Sequence, residues 1–228
     1  MKIRKALGEY MEALLELIYP PVTMEDLCTE KIPFISDHSC IQCGRGLRMM
    51  EDGPKCQECM GKEYHFHRAI SVVKYEGEMK DLIYAFKYAH RTYVGRVMGW
   101  MMADKIKEEA IEIDLILPVP LYGDKEKERG FNQATILSKY ISKKSKIPFN
   151  IDVLTRTRNT KVMHNLTKRE RQENVTDAFK VLNNGVIINK NILLVDDILT
   201  TGSTVNECSK ILLNFGAKTV TVLTFARD

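Results

Sequence analysis

Ten consecutive residues, Val195-Asp196-Asp197-Ile198-Leu199-Thr200-Thr201-Gly202-Ser203-Thr204, hold the densest chemistry in this chain. An apolar run from Asn191 to Val195 leads into two carboxylates, then a hydroxyl- and glycine-rich turn, then a helical pattern that begins at Ser203. Gly202 lets backbone approach an anion closely, and the unpaired N–H groups and dipole of a helix start favour a phosphate. The hydroxyls of Thr200, Thr201, Ser203 and Thr204 add donors. Asp196 and Asp197 accept but do not donate, so they suit the vicinal hydroxyls of a sugar or the water shell of a divalent ion such as Mg²⁺. A strand, an Asx turn and a capped helix would use the same residue types for local hydrogen bonds alone. The same order also fits a phosphate held at the turn with sugar hydroxyls on the two acids. No Gly-Lys-Ser/Thr occurs, so the turn is not a Walker A loop.

A second anion site follows the other long apolar run. Leu117-Pro118-Val119-Pro120 is succeeded by a highly charged loop to Arg129 and then by Gly130-Phe131-Asn132-Gln133. The guanidinium of Arg129 can offer a bidentate fork to a phosphate, and Gly130 and Asn132 permit a tight turn into the next helix. Lys125 to Arg129 also fits a plain solvated loop. A third basic stretch, Arg156, Arg158, Lys161, His164, Lys168, Arg169 and Arg171, fits a loop closing over pyrophosphate, a track for a DNA backbone, or a solvated amphipathic segment.

Four of the six cysteines form C-x2-C-x12-C-x2-C at Cys40, Cys43, Cys56 and Cys59. Two such knuckles close a tetrahedral zinc site, and four thiolates leave no open coordination position, so the zinc is expected to be structural. Gly44, Gly46 and Gly53 supply turns, and the segment from Cys28 to Gly61 is so poor in aliphatics that a metal would have to hold it together. A redox dithiol needs only one such pair. His38, His65 and His67 lie nearby as exposed residues or substitute ligands. Cys28 and Cys208 are expected to be buried as small apolar residues.

These groups need a scaffold, and the chain's pattern supplies one. Apolar strands are expected at 69–75, 113–119, 178–182, 191–195 and 218–225. Helices are expected at 79–88, onward to about 109, at 131–144 and at 203–215. Strands apolar along most of their length, alternating with helices, imply an α/β fold with a mostly parallel sheet flanked by helices, which binds ligands beyond its strands' C-terminal ends. Residues 1–21 read as an amphipathic helix ended by Pro20-Pro21, 22–66 as a small N-terminal zinc-binding module, and 67–228 as the sheet domain. The helix's apolar face can pack on protein or lie peripherally on a membrane, and Glu9, Glu12 and Glu16 oppose an anionic bilayer. The 228 residues carry a formal charge of +4, which suits a soluble chain with weak attraction for polyanions. No transmembrane segment and no signal-peptide pattern is expected, so the reading is cytoplasmic.

The acidic threonine-glycine turn resembles the signature by which type I phosphoribosyltransferases bind phosphoribosyl pyrophosphate (PRPP). The wider set resembles the ComF family: Cys40-x2-Cys43-Gly-Arg with Cys56-x2-Cys59, Phe86-Lys87-Tyr88, Pro118-Val119-Pro120, Arg129 to Gln133, Arg156-x-Arg158, Arg171-x2-Asn174-Val175 and the turn itself. The resemblance spans Cys40 to Arg227. It implies a phosphoribosyltransferase-type protein that binds PRPP with Mg²⁺ and supports natural competence, the uptake of transforming single-stranded DNA. Partners implied are single-stranded DNA and a DNA-translocation helicase. As an enzyme it would transfer ribose 5-phosphate: Asp196 and Asp197 holding the ribose, Thr200 to Thr204 the 5-phosphate, and Arg129, Lys87 and Arg158 neutralising pyrophosphate. A non-catalytic PRPP sensor that binds DNA or a partner, and a nucleotide-salvage phosphoribosyltransferase, stand as alternatives.

Overall fold

The computed structural model describes residues 32–36, 38–47, 53–88, 93–157 and 178–228. The expected N-terminal helix, Cys28, Arg158 and most of the third basic stretch lie outside these residues. Strand β1 (Arg68–Lys74) is followed by helices α1 (Glu78–Tyr88) and α2 (Val94–Glu108), strand β2 (Leu115–Pro118), and helices α3 (Gly123–Arg129) and α4 (Gln133–Ser145). Two short strands, β3 (Leu154–Arg156) and β4 (Phe179–Val181), precede β5 (Asn191–Leu199), α5 (Ser203–Asn214) and β6 (Thr219–Arg227).

Four strands make one sheet in the order β1-β6-β5-β2, and every neighbouring pair is parallel. Side chains alternate across a strand, so β5 serves both faces of the sheet. Ile192 and Leu194 join Val205, Cys208 and Leu212 of α5 in one apolar cluster, together with Leu115 and Leu117 of β2. Leu193 and Val195 therefore face the opposite side, and both are fully buried. Helices α2 and α4 pack on each other, α2 against β1 and β6, and α4 against β2 and β5. One polar pair sits inside this apolar sheet: the hydroxyls of Ser71 and Thr224, opposite each other in the β1–β6 register, share a 2.7 Å hydrogen bond.

Three expectations need correction. The charged segment before Arg129 is not simply loop: Gly123–Arg129 forms a helix with no buried residue, so it carries no apolar period by which to be recognised. The strand expected at 178–182 does not join the main sheet but pairs antiparallel with β3 in a separate ribbon. Strand β5 does not end at Val195. It runs on through both aspartates to Leu199, paired with β6 throughout.

Pro33–Asp228 form one compact unit, which includes the cysteine segment. No helix among the described residues is long and apolar enough to cross a membrane.

Candidate functional site

Because β5 stays extended through Asp196 and Asp197, its two-residue period sends the carboxylates to opposite faces. Asp197, 7 % exposed, follows Leu193 and Val195 toward the side of α1, where Lys87 Nζ meets its carboxylate at 3.0 Å. Burial by itself would lower the Lys87 pKa, but Asp197 and then Asp196 outweigh it and hold the ammonium above its ordinary value. Asp196 follows Ile192 and Leu194 toward α5. Desolvation and the neighbouring Asp197 push its pKa up to about 7, against the opposing pull of the Asp197 N–H, Lys87 and Arg156. That N–H donates to Asp196 Oδ1 at 2.9 Å. One carboxylate is thus locked in an ion pair, while the other is poised between charge states near neutral pH.

After Leu199 the chain turns. Gly202 takes φ +78°, a left-handed conformation open to glycine at little cost, and stands as the N-cap of α5. No side chain caps the helix; Thr201 Oγ1 lies 3.0 Å from Ser203 Oγ and 3.5 Å from the Ser203 N–H. The N–H groups of Gly202, Thr204 and Val205 reach no acceptor among the described residues. They border a small recess of about 40 Å³ lined by Asp196, Ile198 and Leu199 to Val205. Unsatisfied amides, hydroxyls and a helix dipole converging on a recess are the features that favour an anion.

A second set of charges comes from distant parts of the chain. Asn132 caps α4 by accepting from the Ala134 N–H at 2.9 Å, and its amide donates to the Val119 carbonyl at 3.0 Å, which ties the start of α4 to the end of β2. The first turn of α4 then presents Gln133, whose Oε1 accepts from Arg129 at 3.2 Å. Arg129 also donates to the Tyr88 hydroxyl at 3.1 Å, with its guanidinium 5.0 Å from that ring's centre. Lys125 on α3 has a lowered pKa, through burial first and then repulsion from Arg156 and Arg129. Arg156, over the Phe179 ring at 5.4 Å, is felt electrostatically by Asp196. Lys87 and Arg156 act on the two carboxylates, Arg129 repels Lys87, and both Arg129 and Arg156 repel Lys125, a run of neighbouring cations that suits a polyanion. Lys87 and Arg129 are expected site residues, whereas Lys125, Tyr88 and Gln133 carry no role of their own in the sequence: Arg129 and Gln133 end and begin different helices and Tyr88 lies 41 positions from Arg129, so no spacing marks them.

The four knuckle cysteines come together as well. Cys40, Cys43, Cys56 and Cys59 are buried, free of disulfides, and their sulfurs lie within 4.8 Å of one another. Zn–S bonds of about 2.3 Å at tetrahedral angles set sulfurs roughly 3.8 Å apart. Cys43 and Cys56 Sγ are 3.8 Å apart, so the set fits a four-thiolate metal ion. Burial opposes a Cys56 thiolate, but the Cys59 N–H and the neighbouring thiols outweigh it and lower its pKa to about 7. His38, His65 and His67 do not enter the cluster; the His65 N–H instead donates to Asn206 on α5. Cys208 is fully buried against the sheet, as expected of a small apolar residue.

The phosphoribosyl transferase domain family matches residues 102–228. Competence protein F of Haemophilus influenzae is 28% identical over 194 residues, covering 82% of this chain and 84% of that protein. The DNA utilization protein YhgH of Shigella flexneri is 30% identical over 193 residues, covering 82% and 83%. The competence protein ComFC of Streptococcus pneumoniae is 28% identical over 207 residues, covering 88% and 86%. A parallel sheet whose glycine- and hydroxyl-rich turn follows an acidic strand, four clustered cysteines and matches over most of the length agree: the chain belongs to the phosphoribosyl transferase domain family, in the ComF group of competence and DNA-utilization proteins.

Proposed function

We propose that this protein binds PRPP with Mg²⁺ at the β5–α5 turn and acts in the cytoplasm in the uptake and use of DNA, a reading supported by its similarity to competence and DNA utilization proteins. The observation that carries the reading is the unsatisfied amide set of Gly202, Thr204 and Val205 beside Asp196, at the C-terminal end of a parallel strand. The turn takes the 5-phosphate through these amides and the hydroxyls of Thr200, Thr201, Ser203 and Thr204. Asp196 accepts from the ribose hydroxyls, and Asp197, held by Lys87, keeps the strand end in place. Lys87, Lys125, Arg129 and Arg156 draw in the pyrophosphate, and Arg158 is assigned with them from its motif. Mg²⁺ would neutralise part of the pyrophosphate charge. If transfer to an acceptor follows, the chain's own contribution is positioning and leaving-group stabilisation.

Calorimetric titration of PRPP and Mg²⁺ tests this. The wild type is expected to bind, and the Asp196→Ala/Asp197→Ala variant to lose binding while keeping its far-ultraviolet circular dichroism. Equal affinity in the two proteins would remove the site. Pyrophosphate release on addition of candidate acceptors then separates a transferase from a binding protein.

A further inference from the structure

The cysteine cluster and the phosphate turn are far apart in sequence but share walls. A cavity of about 250 Å³ is lined on one side by Cys43, Cys59 and Tyr64 and on the other by Leu199 to Gly202, with Arg227 and Phe66 between them. Arg227, near the end of β6, spans the two walls: its Nε donates to the Cys43 carbonyl at 3.1 Å and its Nη1 to the Leu199 carbonyl at 3.1 Å. The Asp228 N–H adds a bond to the same Leu199 carbonyl at 3.0 Å. Leu199 is the last residue before the turn. Tyr64 reaches the turn itself, since a Cβ placed on Gly202 would lie 3.7 Å from its ring, while its hydroxyl is 4.0 Å from Cys59 Sγ. The neighbouring His65 N–H donates at 2.7 Å to Asn206 Oδ1 in the first turn of α5. Three separate contacts thus join the two metal knuckles to the segment that carries the unsatisfied amides.

We infer that Arg227 and Tyr64 are positioning residues that couple occupancy of the four-cysteine metal site to anion binding at the turn, so that each ligand tightens the hold on the other. The inference rests on the phosphate-binding reading of the β5–α5 turn. A ligand bound to the turn fixes Leu199 to Gly202, and with them the carbonyl and the ring that brace the knuckles. A metal bound to the knuckles fixes Cys43 and Tyr64, and with them the start of α5. Thermodynamic linkage makes the effect reciprocal.

The experiment follows zinc loss from the full-length, zinc-loaded protein to a chromogenic chelator, with Mg²⁺ alone and with Mg²⁺ plus saturating PRPP. PRPP is expected to slow zinc loss about fivefold, the lower end of typical coupling between sites. Arg227→Lys keeps the charge but cannot hold both carbonyls in one planar fork. It is expected to bind one zinc and PRPP, yet to lose zinc at nearly the same rate with and without PRPP. If Arg227→Lys does not fold, Tyr64→Leu, which removes the ring against Gly202, replaces it with the same expected result. Wild-type protein that binds PRPP by calorimetry but loses zinc at an unchanged rate overturns the coupling and leaves the PRPP site standing. Full retardation in the substituted protein overturns the assigned residues. Failure of the wild type to bind PRPP overturns both the coupling and the site.

Discussion

Leu193 and Leu194 in β5 and Cys56 in the second knuckle are equally hidden from solvent, each at 0 % exposure, but different forces keep them there. The leucines lie in a four-stranded sheet with apolar side chains above and below, where burial of each is worth roughly 1.5–3 kcal/mol. Around Cys56 the packed neighbours among the described residues are Cys40, Cys43 and Cys59, with Leu47 and Tyr64 beside them. That is too little apolar surface to offset chain entropy, so the knuckles depend on what their thiolates bind. The sheet is held by its own apolar packing, whereas the cysteine region is expected to depend on a metal. The β5–α5 turn lies where the two meet.

Metal removal breaks this comparison most forcefully. Apparent binding energies of structural zinc run to about 10–16 kcal/mol, so stripping the ion, or Cys56→Ser, is expected to abolish amide-exchange protection across residues 38–47 and 53–66 while β5 and β6 keep theirs. Hydrogen-exchange mass spectrometry checks this, and loss of protection in β5 at the same rate would mean that the two regions fold as one.

A smaller effect sharpens the sheet's side of the contrast. The folded chain holds a proton on Asp196 up to about pH 7, whereas the unfolded chain releases it near the ordinary carboxylate value of 3.8. Stability is therefore expected to fall as pH rises through that window, and Asp196→Asn should lack this part of the decline. Urea midpoints at pH 5 and pH 8 measure it, and an identical pH difference in both proteins would refute the desolvated carboxyl.

The smallest effect concerns the seam. Gly44 has φ +68°, and a Cβ there would stand 2.9 Å from the Ala69 carbonyl of β1, whereas Gly61 has φ +70° with nothing within 4 Å. Both alanine substitutions incur the left-handed backbone cost of about 1–2 kcal/mol. Only Gly44→Ala should also push the first knuckle off β1, seen as faster zinc loss than in Gly61→Ala.

The parts legible in the sequence are the local ones. The β5–α5 turn could be read from ten consecutive residues because strand, acids, glycine and helix start follow one another without a gap. The four-cysteine cluster could be read from two short spacings. The cationic side could not be assembled in the same way. Lys87, Arg129 and Arg156 meet only through tertiary packing, and α3, which buries nothing, has no period to betray it. The paired aspartates looked like the end of a strand because carboxylates seldom continue one; here Lys87 and Arg156 on opposite faces allow β5 to pass through them. The link from Arg227 to Cys43 crosses 184 positions and leaves no trace in spacing.

The hydroxyl pair of Ser71 and Thr224 bears on that long link. Sliding β1 along β6 by two residues would preserve which side chains face which way, yet it would set Ser71 against Val222 or Ala226 and strand its buried hydroxyl, while Thr224 keeps its bond to the Ala226 carbonyl. The pair works as a detent in an otherwise slippery apolar seam. Arg227 sits three residues farther along the same strand, and Cys43 rides on β1 through the bond from the Ala69 N–H to the Gln42 carbonyl, so this click-stop also sets how the guanidinium meets the Cys43 carbonyl.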